Sequence, residues 1–222
     1  IAIRNTLIFV LITVPISKVV GFLLALLANK RRKTSVFYET SFALPMAMAS
    51  SVIAMIFQLL YVSPLGILNG IFHIDIHWLT DSRYALLSIA IVQIWLSTGY
   101  AFVFMLSAVR SVPADVLESA SIDGASSVRK MISIYLPLTT PTLFYLIVTD
   151  LAYSMMVMSL VNVLTGGGPD NSTLTLMQYI YSQFARTGNY TNANPAAVLT
   201  FLMTLVFTLL AFLWEKKGVH YQ

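Results

Sequence analysis

The segment "ESASIDGASSVRKMISIYLPLTTP", residues 118–141, interrupts a strongly apolar chain with two acids, two bases, a glycine and two prolines. The residues before it begin at Pro113, and proline suits the first turn of a helix. The pair Asp123 and Gly124 is typical of a helix end. The pattern therefore predicts a short helix that ends in a glycine elbow.

A second short helix is predicted to begin at Ser126 or Ser127. It places Val128, Met131, Ile132 and Tyr135 on one apolar face. Proline at 137 and 141 is expected to break the chain near Leu136 and Pro137, before the next apolar stretch. Two interpretations remain open: a knob that docks into another protein, or a connector that lies on the lipid headgroups.

Composition assigns the chain to a membrane. Of 222 residues, 58% are apolar and only 10% are charged, against roughly 25% charged residues in soluble domains. The net charge of +4 is explained by basic loops on one membrane face rather than by nucleic-acid binding. The sequence has no cysteine and three histidines, so neither a disulfide nor a metal site is expected.

Five apolar stretches are long enough to cross a hydrocarbon core of about 30 Å. The fold class is therefore an all-α, polytopic membrane bundle in one domain, residues 1–222. The predicted spans lie near residues 6–28, 41–61, 85–109, 142–164 and 196–214, and a polar loop occupies residues 110–141.

Lys and Arg are distributed unevenly between the two faces, and the face with more of them is expected to be cytoplasmic. This places residues 110–141 and the C-terminus inside. Five spans then leave the N-terminus outside, so a further helix is expected upstream of Ile1. Nine bases fall on the inner face (Lys30, Arg31, Arg32, Lys33, Arg110, Arg129, Lys130, Lys216, Lys217) and three on the outer face (Arg4, Arg83, Arg186).

The polar segment also carries a resemblance. Glu118, Ala120, Asp123, Gly124 and Ala125, followed by Ile134 and Leu136–Pro137, resemble the EAA motif of membrane subunits of binding-protein-dependent ABC importers. Ser119 replaces the usual alanine, and Met131 replaces a common aromatic residue. The resemblance extends over essentially the whole chain and favours the carbohydrate branch.

The resemblance implies a permease subunit of the type I importer fold in the bacterial cytoplasmic membrane. Its expected partners are a second permease, an ATPase dimer, an external solute-binding protein and membrane lipid. Glu118, Ala120, Asp123, Gly124 and Ala125 would couple the spans to the ATPase. The chain has no GxxxxGK[ST] loop, so ATP and Mg²⁺ are expected on the ATPase and no cofactor or enzymatic activity is expected here.

Polar residues within spans are costly and tend to face a cavity. The sequence alone singles out Asp150 and Ser154 in the fourth span, and Gln93, Trp95 and Ser97 in the third. Amides and carboxylates can hold sugar hydroxyls, and an indole can stack on a sugar ring. The resemblance to a maltose-type importer implies that Gln93, Leu96, Ser97, Asp150 and Ser154 line a sugar cavity.

Alternatives to this cavity remain open at the level of the sequence. The same side chains can form interhelical hydrogen bonds, and Trp95 can pack against a neighbour. Lys18 can pair with Asp150, reach towards the interface or face a wet cavity. For the substrate, a di- or oligosaccharide is favoured over glycerol phosphate or another polyol. A secondary transporter would need a coupling-ion site and inverted repeats, and neither is visible.

Overall fold

A computed structural model describes residues 1–29, 35–62 and 66–218. Three of its helices are long and apolar enough to cross a membrane, and the number rises to five if each of two bent helix pairs forms one span. The predicted all-α membrane bundle is therefore confirmed. The basic run at residues 30–33, on which the predicted orientation partly rests, lies outside the described residues.

The first half of the chain is built on two long helices, α1 (Ala2–Ala28) and α5 (Ala85–Arg110). They pack along one another, and Gly21 lies at their contact, where an added Cβ would be 2.7 Å from the Cβ of Ala101. Between them in sequence lie α2 (Ser35–Ala43), a 3₁₀ turn (Leu44–Ala47), α3 (Ser50–Tyr61) and α4 (Ile67–Phe72).

The second half begins with α6 (Ala114–Ile122) and α7 (Ser127–Lys130), and no residue of either helix is buried. A π-helical segment (Met131–Tyr135) and α8 (Leu136–Leu138) extend α7 towards α9 (Thr140–Met155), which packs on α1. The chain ends in α10 (Ser159–Leu164), α11 (Leu176–Tyr181) with a π-helical turn (Ser182–Arg186), and α12 (Tyr190–Gly218).

The span predicted near residues 41–61 is not one continuous helix. Residues Val36–Ala47 and Ser50–Tyr61 form a pair bent by 103°. Pro45 lacks a backbone N–H and lies in the 3₁₀ turn that precedes the bend. The turn fits closely against α5 at Gly99, where an added Cβ would lie 3.0 Å from the Cβ of Pro45.

In the span predicted near residues 142–164, the helix ends at Met155 and resumes at Ser159. No glycine or proline lies in this interval, so the sequence contains no local signal for the break. Tertiary structure supplies a partner for one of the freed carbonyls, because the Thr175 hydroxyl donates to the Val157 carbonyl at 3.2 Å.

The break predicted at Leu136–Pro137 is displaced to Thr139. The helix runs through Pro137 as Ser127–Leu138 and then bends by 68° into Thr140–Met155. The π-helical turn before Pro137 departs from the i→i−4 hydrogen-bond ladder, so the missing N–H of the proline is accommodated.

Two large apolar clusters, one around Phe9 and Ile89 and the other around Phe22 and Phe102, and a smaller one around Val14 and Met155 fill the described part of the bundle. On α1, α5 and α9 a buried polar layer lies between the residues of these clusters. Its members are Thr13, Ser17, Lys18, Ser97, Thr98, Asp150 and Ser154. This layer positions the candidate site.

Candidate functional site

An ion pair forms the centre of the polar layer. Lys18 Nζ on α1 lies 2.6 Å from Asp150 Oδ2 on α9, and the two side chains are only 3% and 8% exposed. A carboxylate or ammonium buried alone at this depth is costly, so each charge compensates the other. Of the alternatives that the sequence leaves open for Lys18, the structure selects pairing with Asp150.

Hydroxyl groups complete the coordination of the carboxylate. Ser17 donates to Asp150 Oδ2 at 3.1 Å, and Ser97 on α5 donates to Asp150 Oδ1 at 2.8 Å. Gln93 Nε2 in turn donates to the Ser97 hydroxyl at 3.1 Å. Three helices, α1, α5 and α9, are therefore joined through one carboxylate.

A cavity of about 350 Å³ opens beside this ion pair. Two helix breaks form part of its wall: Met48 and Ser50 at the first break, and Met156 and Ser159 at the second. Irregular backbone within a membrane is tolerated where it lines a cavity. The polar part of the wall is formed by these two serines together with Gln93, Ser97, Tyr100, Thr149, Asp150 and Tyr153.

Four of the six predicted substrate residues line this cavity: Gln93, Leu96, Ser97 and Asp150. Trp95 and Ser154 do not line it. The ring of Trp95 packs against Phe57 with 5.7 Å between centroids. Ser154 is fully buried, and it accepts a hydrogen bond from Thr13 of α1 at 3.5 Å. The structure thus shows aromatic packing for Trp95 and an interhelical hydrogen bond for Ser154. These were the alternatives to a role in the cavity.

Sequence reasoning missed Tyr100, Thr149 and Tyr153 as cavity residues. The helical period contains a signal for them, because Tyr100 lies one turn after Leu96, and Tyr153 one turn after Thr149. These residues were missed because an aromatic or threonine residue in an apolar helix is equally typical of packing.

The exposed stretch at residues 113–126 contains α6, and this helix ends in a complete Schellman motif. The N–H of Gly124 donates to the Ser121 carbonyl at 3.1 Å, and that of Ala125 donates to the Ala120 carbonyl at 2.9 Å. Gly124 has a φ of +72°, a conformation that glycine adopts without steric cost. The glycine elbow expected from the sequence is present.

The five residues to which the family resemblance assigns coupling all lie on this exposed stretch. Glu118, Asp123 and Gly124 are exposed, and Ala120 and Ala125 are partly exposed. Of the apolar face predicted for the second helix, Met131 and Tyr135 pack against the cluster around Phe22 and Phe102. Val128 and Ile132 stay exposed at 61% and 55%, so apolar surface remains on this segment.

Comparison with known proteins agrees with this architecture. The family described as "Binding-protein-dependent transport system inner membrane component" matches residues 17–216. The sn-glycerol-3-phosphate transport system permease protein UgpA of Yersinia pestis bv. Antiqua (strain Antiqua) is 30% identical over 98% of this chain and 75% of its own length. A probable ABC transporter permease protein of Pyrococcus horikoshii is 33% identical over 98% of this chain and 76% of its own length.

Solved structures share the fold. A chain of a bacterial alginate ABC transporter, crystallised with an alginate pentasaccharide-bound periplasmic protein, aligns with a TM-score of 0.87 and 23% identity. The alignment covers 97% of this chain and 77% of that one. A chain of an amino acid ABC transporter aligns with a TM-score of 0.64 and 18% identity, over 97% of this chain and 92% of that one.

The chain therefore belongs to the family of inner membrane components of binding-protein-dependent transport systems. It is a multi-pass permease subunit of an ABC importer, as the EAA-like segment implied, and not a secondary transporter.

Proposed function

We propose that this subunit forms half of the pathway for a neutral di- or oligosaccharide, and that a partner ATPase drives its transport. One observation carries the substrate class: the cavity wall offers amide and hydroxyl groups beside a carboxylate that Lys18 already neutralises. Such a wall suits a ligand that has many hydroxyl groups and no charge.

The polar and apolar parts of the wall match two features of a sugar. Gln93, Thr149 and Ser159 supply hydrogen-bonding groups for the ring hydroxyls. Tyr100 and Tyr153 supply aromatic faces for the C–H faces of the ring as well as hydroxyl groups. A few polar groups in an otherwise apolar cavity are typical of small-molecule sites.

Asp150 serves this site as a positioning residue. With Lys18, Ser17 and Ser97 bound to it, the carboxylate has little capacity left for a sugar hydroxyl. We infer that Asp150 holds Ser97 and Gln93 in place for the substrate. Trp95 and Ser154, which point away from the cavity, support the helices rather than the sugar.

Glycerol phosphate is the second candidate, favoured by the relatives named as sn-glycerol-3-phosphate permeases. A phosphate dianion is ordinarily held by Arg or Lys. Among the described residues that line the cavity, Asp150 carries the only formal charge at neutral pH, and its sign is negative. The wall of this subunit therefore favours the neutral sugar.

Transport would be driven through the exposed segment. Glu118, Ala120, Asp123, Gly124 and Ala125 form the surface that we assign to the ATPase. The Schellman motif fixes the angle of this surface, and the helix Ser127–Leu138 leads from it through one bend to α9, which carries Asp150. ATP and Mg²⁺ would be bound by the ATPase dimer. A second permease, a solute-binding protein and lipid would complete the assembly.

The orientation can be tested by cysteine labelling, because this sequence contains no cysteine. Single Ser126→Cys and Ser82→Cys variants, both at exposed positions, are expected to label oppositely in intact cells. An impermeant thiol reagent should reach only the variant at position 82. Labelling of the variant at position 126 alone would invert the proposed orientation and place the C-terminus outside.

The substrate class can be tested with the complete importer in proteoliposomes. ATP-dependent uptake would be measured for labelled malto-, cello- and xylo-oligosaccharides and for sn-glycerol 3-phosphate. We expect uptake of at least one neutral sugar series, and its reduction by Gln93→Ala. Tyr190→Ala, a change on an exposed residue outside the cavity, is the matched control. Uptake of glycerol phosphate alone would contradict the proposal.

A further inference from the structure

Three aromatic rings on α5 and α9 form a continuous group beside the cavity, here called the aromatic stripe: Tyr100, Phe104 and Tyr145. The ring centroids of Tyr100 and Phe104 lie 4.7 Å apart, and those of Phe104 and Tyr145 lie 5.9 Å apart. The hydroxyl groups of Tyr100 and Tyr145 are 3.3 Å from each other. The rings of the stripe are thus held together from two helices.

The exposed stretch at residues 113–126, to which we assign contact with the ATPase, is here called the proposed coupling segment. The stripe extends from the cavity towards the end of the bundle that carries this segment. Tyr100 lines the cavity, whereas Phe104 and Tyr145 lie beyond its wall. Phe104 follows Tyr100 by one helical turn in the direction of Arg110, where α5 ends. On α9, Tyr145 precedes the cavity residue Tyr153 by eight positions, which is about 12 Å along the helix.

Tyr145 is the exposed ring of the stripe, whereas Tyr100 and Phe104 are half-buried. Tyr145 is 47% exposed, although its neighbours Phe144 and Leu146 are 6% and 0% exposed. The Tyr145 hydroxyl has one partner, the Tyr100 hydroxyl at 3.3 Å, and a phenol hydroxyl can both donate and accept, so it retains a hydrogen-bonding position for a ligand. Thr149, midway between Tyr145 and Tyr153, lines the cavity, so this face of α9 continues the cavity wall.

We propose that Phe104 and Tyr145 form a second carbohydrate subsite, next to the cavity and on the side of the proposed coupling segment. Two rings of an oligosaccharide would occupy the cavity of about 350 Å³, and the next ring would stack on Phe104 and Tyr145. Aromatic faces bury the C–H face of a sugar ring, and the tyrosine hydroxyl reaches its polar edge. The subsite rests on the proposed carbohydrate function and deepens it, because it makes recognition depend on chain length.

The test measures uptake by the complete importer as a function of oligosaccharide length. Malto-, cello- and xylo-oligosaccharides of two to five sugar units would be compared for wild type, Tyr145→Ala and Tyr145→Phe. Tyr145→Ala should lower kcat/KM for tetra- and pentasaccharides by roughly threefold to tenfold. Disaccharide uptake should be unchanged, because a disaccharide fits the cavity alone. Tyr145→Phe keeps the ring and should retain most of the long-chain uptake.

The matched control is Tyr190→Ala. Tyr190 is 56% exposed and pairs with Phe184 at 5.2 Å, so it is a comparable aromatic contact away from the stripe. Its loss should give no dependence on sugar length.

Two results would overturn the subsite while leaving the carbohydrate function intact. Equal uptake by Tyr145→Ala at every sugar length would show that the ring does not touch sugar. An equal loss at every length, together with loss of the second permease on co-purification, would identify the stripe as a packing surface between subunits. Failure of wild type to take up any of the three series would overturn the subsite and the proposed function together.

Discussion

The buried ion pair and the exposed segment at residues 113–126, for which we propose the coupling role, differ in how their charges are stabilised. Asp150 is held by Lys18 at 2.6 Å and by two serine hydroxyls. Glu118 and Asp123 are exposed, and within the described residues neither forms an ion pair. A charge deep in the bundle needs an internal partner, whereas a charge on the surface segment stays hydrated and free to meet another chain.

Glycine is required in each of the two regions for a different reason. Gly21 is required by lack of space, because an added Cβ would lie 2.7 Å from Ala101 Cβ. Gly124 has no neighbour within 4 Å of such a Cβ, and it is required by its φ of +72°. The core is therefore constrained by packing, and the proposed coupling segment by local backbone conformation. Substitutions in the two regions should consequently differ in what they change, and the four below are ordered by their expected effect on the free energy of unfolding.

The largest loss is expected for Asp150→Leu. The change leaves the Lys18 ammonium buried without its partner, which should lower the free energy of unfolding by about 3–5 kcal/mol. The double variant Lys18→Leu/Asp150→Leu should recover most of this loss, because no charge remains in the polar layer. Thermal unfolding of the detergent-solubilised complex measures both. An Asp150→Leu protein as stable as wild type would mean that Lys18 reaches water.

Gly21→Ala should have the second largest effect. The new methyl group forces α1 and α5 apart at their closest contact, at an expected cost of about 1–3 kcal/mol. Gly70→Ala is the matched control, because Gly70 lies in α4 with nothing within 4 Å of an added Cβ. The same unfolding measurement applies. Equal melting temperatures for both variants would contradict the close packing of the two helices.

Gly124→Val should reduce the free energy of unfolding by less than about 2 kcal/mol, since α6 contributes no buried residue. Its effect should instead appear in the assembled complex, as loss of substrate-stimulated ATP hydrolysis. Gly124→Asn is the informative control, because asparagine tolerates positive φ. If the Gly124→Asn complex retains substrate-stimulated ATP hydrolysis and the Gly124→Val complex loses it, the effect is due to backbone conformation. Normal stimulation in a correctly assembled Gly124→Val complex would end the coupling proposal.

The smallest effect on unfolding is expected for Glu118→Gln, within about 0.5 kcal/mol. Binding of the ATPase should weaken, and the difference from wild type should shrink at high salt. Asp115→Asn, on the same exposed helix but outside the motif, is the control. Binding of purified ATPase to the permease at low and high salt measures this. A lowered melting temperature for Glu118→Gln would place Glu118 in the fold rather than in docking.

Much of the architecture could be predicted from the sequence, because the responsible signals are local or additive. Hydropathy sums over neighbouring residues, so the apolar stretches at residues 6–28, 85–109 and 196–214 coincide with the long helices Ala2–Ala28, Ala85–Arg110 and Tyr190–Gly218. The glycine elbow was equally predictable, since a Schellman motif involves only residues 120 to 125.

The candidate site was only partly predictable. Gln93, Leu96, Ser97 and Asp150 could be singled out, because polar groups are conspicuous in apolar helices and because the family resemblance identified these positions. Their orientation could not be predicted in the same way. Trp95 and Ser154 belong to the same helices, yet they face Phe57 and α1 instead of the cavity.

The sequence by itself thus determined a membrane bundle, its long helices and the form of its exposed polar segment, all of which depend on residues close together in the chain. Only the tertiary structure decided that Lys18 pairs with Asp150, 132 positions away, and that α9 ends at Met155. Both depend on which side chains the packed helices bring together. A buried charge or an open backbone turn is stable in a membrane only when another helix supplies its partner.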